Sequence, residues 1–326
     1  MPEQGEESCC HFRVGYGLPT RKIEAFMVPS FIDYAKQRGI DFIPIDVSKP
    51  ITEQGPFDCI IHKLYGQEWN HNLENFSLEN PNAIIIDPPL SIQRLHNRIS
   101  MLEPVTQLKI PQLNIPPQIL IQDSASLKSF ELTNYKDLNF PLIAKSLLAD
   151  GTTKAHNMSL VFNQEGLTKG LELDPPLVLQ QFVNHGGIIF KVYVAGDYVK
   201  CEKRNSLQDI SKETLDKMAS SGGDITFSQI SSAVVSGDDD LSNDKPKMPK
   251  PEFLDQVAKG LRMALGLHLF NFDMIKDDKI SDGYLVVDIN YFPGYEKLPF
   301  YESTMTDFFL NIKKLQEEKK MINKEN

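Results

Sequence analysis

Two aspartates and an asparagine near the carboxyl-terminal end of the chain have the types and spacing of a hard-cation site. They lie in LFNFDMIKDDKISDGYLVVDINYFPGYE, Leu269 to Glu296. Phe270 to Ile275 and Tyr284 to Ile289 are β-prone, and the polar, Gly-containing stretch between them predicts a hairpin. Side chains alternate across a strand, so Asp288 and Asn290 share one face, and Asp273 on the partner strand can join them. Two carboxylates and an amide oxygen suit Mg²⁺, which prefers oxygen ligands and shares its shell with phosphates. Single aspartates are more often solvated strand ends. Asp288, however, follows Leu285, Val286 and Val287, where a charge is costly to bury without a partner. The turn after it contains Gly294, which lets backbone approach a ligand.

Cations are placed to meet anions elsewhere. Lys145 ends the apolar run from Phe140, and such a lysine either snorkels to the surface or meets an anion. Gly151 to Thr153 could cradle phosphates through backbone N–H groups, although no Walker A order is present. Lys22 and Lys63 each stand just beyond a strand of the amino-terminal region, at the edge where parallel sheets bind ligands. Each alone reads as a surface cation; as a pair they point to an anion site. Leu177 to Lys191, LVLQQFVNHGGIIFK, could offer backbone groups to an adenine edge, and it could equally be an interior hairpin. His156 lacks companions at metal-ligand spacing, and no Ser-His-Asp or Cys-His pattern accompanies it.

The elements that must position these residues alternate. Strands are expected at 13–16, 41–45, 58–62 and 83–86, with helices over 22–38, stopped by Gly39, and over 91–102. This βαβ pattern predicts a parallel sheet. Three prolines between Lys109 and Pro117 mark a boundary. Further strands are expected at 140–145, 159–162, 177–182 and 188–194. A Ser-, Asp- and Gly-rich stretch at 206–250 reads as a mobile surface insertion. An amphipathic helix over 252–265 closed by Gly266 follows, and a last helix runs through Phe308 to Leu310.

With 326 residues, a large core in two or three lobes is expected. A net charge of −10 argues against a general nucleic-acid or membrane-surface binder. Cys9, Cys10, Cys59 and Cys201 form no CxxC pair or disulfide framework, which fits a reducing compartment. No apolar run approaches a membrane span, and the amino terminus lacks a signal-peptide pattern. The expectation is a cytoplasmic protein.

The chain resembles the inositol 1,3,4-trisphosphate 5/6-kinases, also called inositol tetrakisphosphate 1-kinases, which have the ATP-grasp fold. The resemblance runs from about Arg13 to about Phe309. It is densest at RGIDFIPIDVSKPITEQGPFDCIIHKL, LVFNQEGL, LQQFVNHGGIIFKVYVAGD and VVDINYFPGYE. It implies an α/β fold with α+β lobes. Residues 1–108 would form a Rossmann-like lobe on the inositol phosphate side, 109–183 a central ATP-grasp lobe, and 184–326 a carboxyl-terminal lobe carrying the metal site and the insertion. The lobes with antiparallel sheets would sandwich ATP.

The resemblance also implies roles. Asp273, Asp288 and Asn290 match magnesium ligands, with two ions expected, and Lys191 and Asp288 are the implied catalytic residues. Lys145 and Lys191 match ATP-phosphate lysines, Gln180, Gln181, Phe182 and Val183 an adenine linker, and Arg98 an arginine that reaches ATP. Arg204 and Ser206 fall near a nucleotide segment whose usual proline is Asn205 here. Lys22, Lys63, His156 and Gly294 match positions that hold the inositol phosphate, joined by Gly151, Lys191 and Asn290. Asp150 stands where the family usually has a histidine beside Gly151. The implied activity is ATP- and magnesium-dependent phosphorylation of a hydroxyl on soluble inositol tris- or tetrakisphosphates by a monomer, without nucleic acid or membrane. Two other readings stay open: an ATP-grasp carboxylate–amine ligase, and a nucleotide-binding module without catalysis.

Overall fold

The computed structural model describes residues 11–149, 157–220, 224–228, 246–277 and 283–325. Its amino-terminal part alternates β1 (Phe12–Gly17), α1 (Thr20–Phe26), α2 (Pro29–Lys36), β2 (Ile40–Pro44), β3 (Cys59–His62), α3 (Gln67–Glu79), β4 (Ile84–Ile86) and α4 (Pro89–Gln93). The strands form one parallel sheet in the order β2-β1-β3-β4. Parallel strands need crossover connections, and the helices between them supply these.

Two helices depart from expectation. The one expected over 22–38 is split, because Pro29 has no N–H to continue a helix and drives Val28 to extended backbone, ψ 148°. The one expected over 91–102 ends early, passing through a 3₁₀ turn at Arg94–His96 before Asn97 leaves helical geometry. The Asn97 side chain explains the exit: its Oδ1 accepts from Ile99 N at 2.9 Å and Ser100 N at 3.2 Å, competing with the helical ladder. Asn97 then bridges to Leu148, and Arg98 N donates to Leu147 O, which delivers Arg98 to the second sheet.

After α5 (Glu103–Gln107) come β5 (Leu113–Asn114), β6 (Gln118–Ile121), α6 (Ser124–Lys128), β7 (Leu142–Ser146), β8 (Asn157–Val161), β9 (Leu177–Gln181), β10 (Ile188–Ala195) and β11 (Tyr198–Asn205). The chain continues with α7 (Lys212–Ser220), β12 (Asp224–Ser228), α8 (Pro251–Leu265), β13 (Leu269–Asp277), β14 (Gly283–Tyr291) and α9 (Tyr301–Glu325). The second sheet, β12-β8-β7-β9-β6, is antiparallel. The third, β11-β10-β13-β14-β5, is antiparallel except where β5 lies parallel to β14. The segment expected to be a polar insertion thus contains both α7 and a strand of the second sheet. Leu215, Met218 and Ala219 of α7 pack on Leu160, Phe162 and Phe182, burying apolar surface that composition alone had hidden.

One apolar core joins the first and third sheets: Phe26, Phe31 and Ile61 share it with Phe190, Phe270, Phe272 and Phe292. Phe26 meets Phe292 edge-on, centroids 4.9 Å apart. Burying each such ring contributes roughly 1.5–3 kcal/mol. The consequence for function is geometric: the end of β14 is fixed against α1 and β3.

Candidate active site

The hairpin of β13 and β14 forms as its alternation demands, and its register sets Asp273 opposite Asp288 and Asn271 opposite Asn290. On the other flank of β13, Lys191 of β10 stands opposite Asp273. Lys191 Nζ donates to Asp273 Oδ1 at 2.9 Å and Oδ2 at 3.2 Å, and Asn271 Nδ2 adds a bond to Oδ1 at 3.0 Å. Asn290 Nδ2 donates to Asp288 Oδ2 at 2.7 Å, which turns the amide oxygen away from that carboxylate. Burial pushes the Asp273 carboxyl above the usual carboxylate range, against the pull of Lys191. Burial also works against the charge of Lys191, but Asp273 and Asp288 outweigh it and hold its ammonium above the usual lysine range.

The second sheet supplies cations to the same place. Arg98 donates through Nε to Ser146 O at 3.0 Å and through Nη1 to Asp288 Oδ1 at 3.3 Å, so one side chain spans the two sheets. Lys145, buried at 8% exposure, donates to Gln180 Oε1 at 2.7 Å. Its pKa falls to about 8, from burial first and then Arg98, with Asp288 and Asp273 opposing. Gln181, Phe182 and Val183 line a cleft of about 290 Å³ together with Phe140, Ile210 and Leu215.

Among the described residues no three His, Cys, Asp or Glu side chains cluster at metal-ligating distance. Asp273 and Asp288 gain a third oxygen donor in the Asn290 amide once it turns over from its bond to Asp288. That set is all oxygen, lies on one face, and is bordered by three cations suited to phosphates, which fits magnesium rather than a softer metal.

A second cationic pair sits beyond the carboxyl ends of β1 and β3. Lys22 Nζ donates to Pro293 O at 2.6 Å and lies 3.6 Å from Glu296 Oε2; Lys63 Nζ donates to Phe292 O at 3.0 Å. Burial lowers both lysines to about 8, with Glu296 opposing the fall in each. Gly294 follows Pro293 in the turn, and a Cβ there would stand 2.8 Å from Glu296 Oε1. A cleft of about 1000 Å³ opens beside His62 and Leu64, the neighbours of Lys63.

The remaining expectations divide. Gly151 and His156 lie outside the described residues. Arg204 is buried on β11, pairs with Glu202 and Tyr193, and has an Nε with no hydrogen-bond partner among the described residues. Ser206 is held at 2.7 Å from His185 Nε2; because His185 Nδ1 faces the Val183 carbonyl, Nε2 accepts from the Ser206 hydroxyl. Sequence reasoning missed Asn271 and Glu296. The alternation that joined Asp288 to Asn290 could have found Asn271, two residues from Asp273.

Comparison with known proteins extends the resemblance over nearly the whole chain. A family model described as the inositol 1,3,4-trisphosphate 5/6-kinase ATP-grasp domain matches residues 109–311, and one for the family's pre-ATP-grasp domain matches residues 13–92. The chain is 49% identical over 320 residues to inositol-tetrakisphosphate 1-kinase 5 of Oryza sativa subsp. japonica, covering 94% of this chain and 92% of that one. It is 48% identical over 312 residues to inositol-tetrakisphosphate 1-kinase 1 of Arabidopsis thaliana, covering 92% and 95%. Among solved structures, a D-alanine–D-alanine ligase of Bacillus anthracis superposes with a TM-score of 0.60 at 12% identity, covering 94% of this chain and 99% of that one. A RimK domain ATP-grasp protein of Sphaerobacter thermophilus does so with a TM-score of 0.52 at 14% identity, covering 91% and 99%. These two share the fold alone, and it is the ATP-grasp fold.

Proposed function

We infer the function from one premise: the chain belongs to the inositol 1,3,4-trisphosphate 5/6-kinase family. It is an inositol phosphate kinase that takes its phosphoryl group from ATP. The observation that carries the site assignment is the course of β14. It leaves Asp288 and Asn290 and runs directly into Phe292 and Pro293, whose carbonyls Lys63 and Lys22 hold. A carboxylate–lysine centre and a lysine pair are thereby joined by two residues of backbone.

Phosphoryl transfer needs alignment and charge neutralisation more than covalent help. Asp273, Asp288 and Asn290 would hold magnesium, which when bound supplies positive charge to the phosphates of ATP. Lys145, Lys191 and Arg98 present further cations to those phosphates, and Gln180 to Val183 face the base. Lys22 and Lys63, with Gly151 and His156, bind the acceptor's phosphates and aim one hydroxyl at the γ-phosphate. Arg204 and Ser206 border the nucleotide. The lobes are those at 1–108, 109–183 and 184–326, and the enzyme acts as a cytoplasmic monomer. No helix among the described residues is long and apolar enough to cross a membrane. A carboxylate–amine ligase would share the nucleotide residues but would not call for the Lys22–Lys63 pair.

Incubation with labelled ATP, magnesium and a panel of inositol phosphates tests the reading. Label transferred to an inositol phosphate supports it. ADP release that requires a carboxylate and an amine, or no turnover with any inositol phosphate, overturns it.

A further inference from the structure

A buried polar cluster lies where the first sheet meets the third, and the reaction above makes no use of it. Asp87 is completely buried. Its Oδ2 accepts from the backbone N–H groups of His268 and Leu269, at 2.9 and 3.0 Å, and its Oδ1 accepts from His268 Nδ1 at 2.7 Å. Its own backbone N–H donates to Tyr291 Oη at 2.8 Å. Its carbonyl lies 2.8 Å from His62 Nε2, which must therefore carry the proton, so that His62 Nδ1 accepts from Trp69 Nε1 at 3.1 Å. Tyr291 Oη completes the set by donating to the His62 carbonyl at 3.0 Å. Buried polar groups are costly unless satisfied, and this network satisfies them across two sheets.

The position of Tyr291 in the chain gives the cluster its meaning. It follows Asn290 directly, and the residue whose carbonyl it holds, His62, directly precedes Lys63. Lys63 Nζ returns to Phe292 O at 3.0 Å. His62, Lys63, Phe292 and Tyr291 thus close a ring of two peptide links and two hydrogen bonds. We propose that Tyr291 is a positioning residue: its hydroxyl fixes the acceptor-binding Lys63 against the strand that carries Asp288 and Asn290. The proposal rests on the kinase reading given above. In-line transfer is sensitive to displacements of an ångström, so the hydroxyl acts on where the acceptor sits rather than on ATP.

Tyr291→Phe keeps the ring packing and removes both hydrogen bonds. Loss of a buried pair of this kind raises the acceptor KM about tenfold, with the KM for ATP and kcat at saturating acceptor unchanged. His268→Ala, at a partly exposed position, releases Asp87 from the other side and moves the acceptor KM in the same direction. The double variant shows less than the product of the two effects, because both converge on the contact between Tyr291 and His62, which Asp87 supports through its backbone. Should Tyr291→Phe fail to melt cooperatively, His268→Ala carries the test. A purely structural role lowers Tm and leaves the acceptor KM where it was, and that result overturns the proposal while the kinase reading stands. If the wild-type protein phosphorylates no inositol phosphate, both fall.

Discussion

Lys191 and Asp273 face each other across β10 and β13 with Nζ 2.9 Å from Oδ1, so a carboxylate suited to a metal already holds a cation. With magnesium and ATP bound, Lys191 would be able to turn to phosphate without leaving the carboxylate's field. Lys191→Met removes that partner. From the effect of deleting one donor at a developing charge, kcat falls by a factor on the order of 10²–10³, read as ADP release under saturating substrates. Unfolding stays cooperative with a lowered Tm, because Asp273 loses its cation while still buried.

Asp288 is the more accessible of the two carboxylates, its side chain 27% exposed against 7% for Asp273. Asp288→Ala therefore abolishes phosphorylation while leaving a cooperative fold. Nucleotide titrations with and without magnesium give the sharper readout: the wild-type protein binds nucleotide more tightly with the metal, and the variant does not. Retained turnover would remove Asp288 from the metal set.

Much of this was legible in the residues. Continuous apolar runs announced β13, β14, β9 and β10 to within about two residues, the usual uncertainty of element ends. Alternation placed Asp288 and Asn290 together. What escaped were helices whose polar composition masks a narrow stripe, such as α3, where Trp69, Leu73 and Phe76 alone are buried. Helix ends set by one residue, Pro29 or Asn97, also escaped. Lys22 and Lys63 were read as a pair, and the structure brings them to adjacent carbonyls, but their counter-ion Glu296 was not foreseen. The contact of Asp87 with His268 spans 181 positions and leaves no local trace.

The buried lysines make acceptor use depend on pH. Lys22 and Lys63 both titrate near 8, lowered by burial, with Glu296 opposing and Lys63 adding to the fall at Lys22. Binding of an anionic acceptor needs them charged, so kcat/KM for the inositol phosphate declines as pH rises through about 8. Stability moves the other way. Between about 8 and the ordinary lysine value of 10.5 the unfolded chain binds more protons at these positions, so their contribution to stability rises with pH. In Lys63→Ala the acceptor KM rises far more than that for ATP. The alkaline limb also moves to higher pH, because Lys22 no longer feels a neighbouring cation. A limb that stays in place would separate the two lysines. Paired pH–rate profiles and pH-dependent melts check both directions.

Gly294 tests the acceptor side without removing a charged group. Its φ of −78° is open to any residue, so alanine introduces no backbone strain. The new Cβ would meet Glu296 Oε1 at 2.8 Å, the far end of a flexible side chain that can move away. That movement draws the carboxylate from Lys22, now 3.6 Å from Oε2, and narrows the space beside Pro293. Gly294→Ala is expected to change Tm little, since no apolar core is disturbed, and to raise the acceptor KM several-fold at constant ATP KM. A variant with unchanged acceptor KM would place the inositol phosphate away from this turn. Steady-state kinetics with each substrate varied in turn, beside a thermal melt of the same preparation, decides between the two.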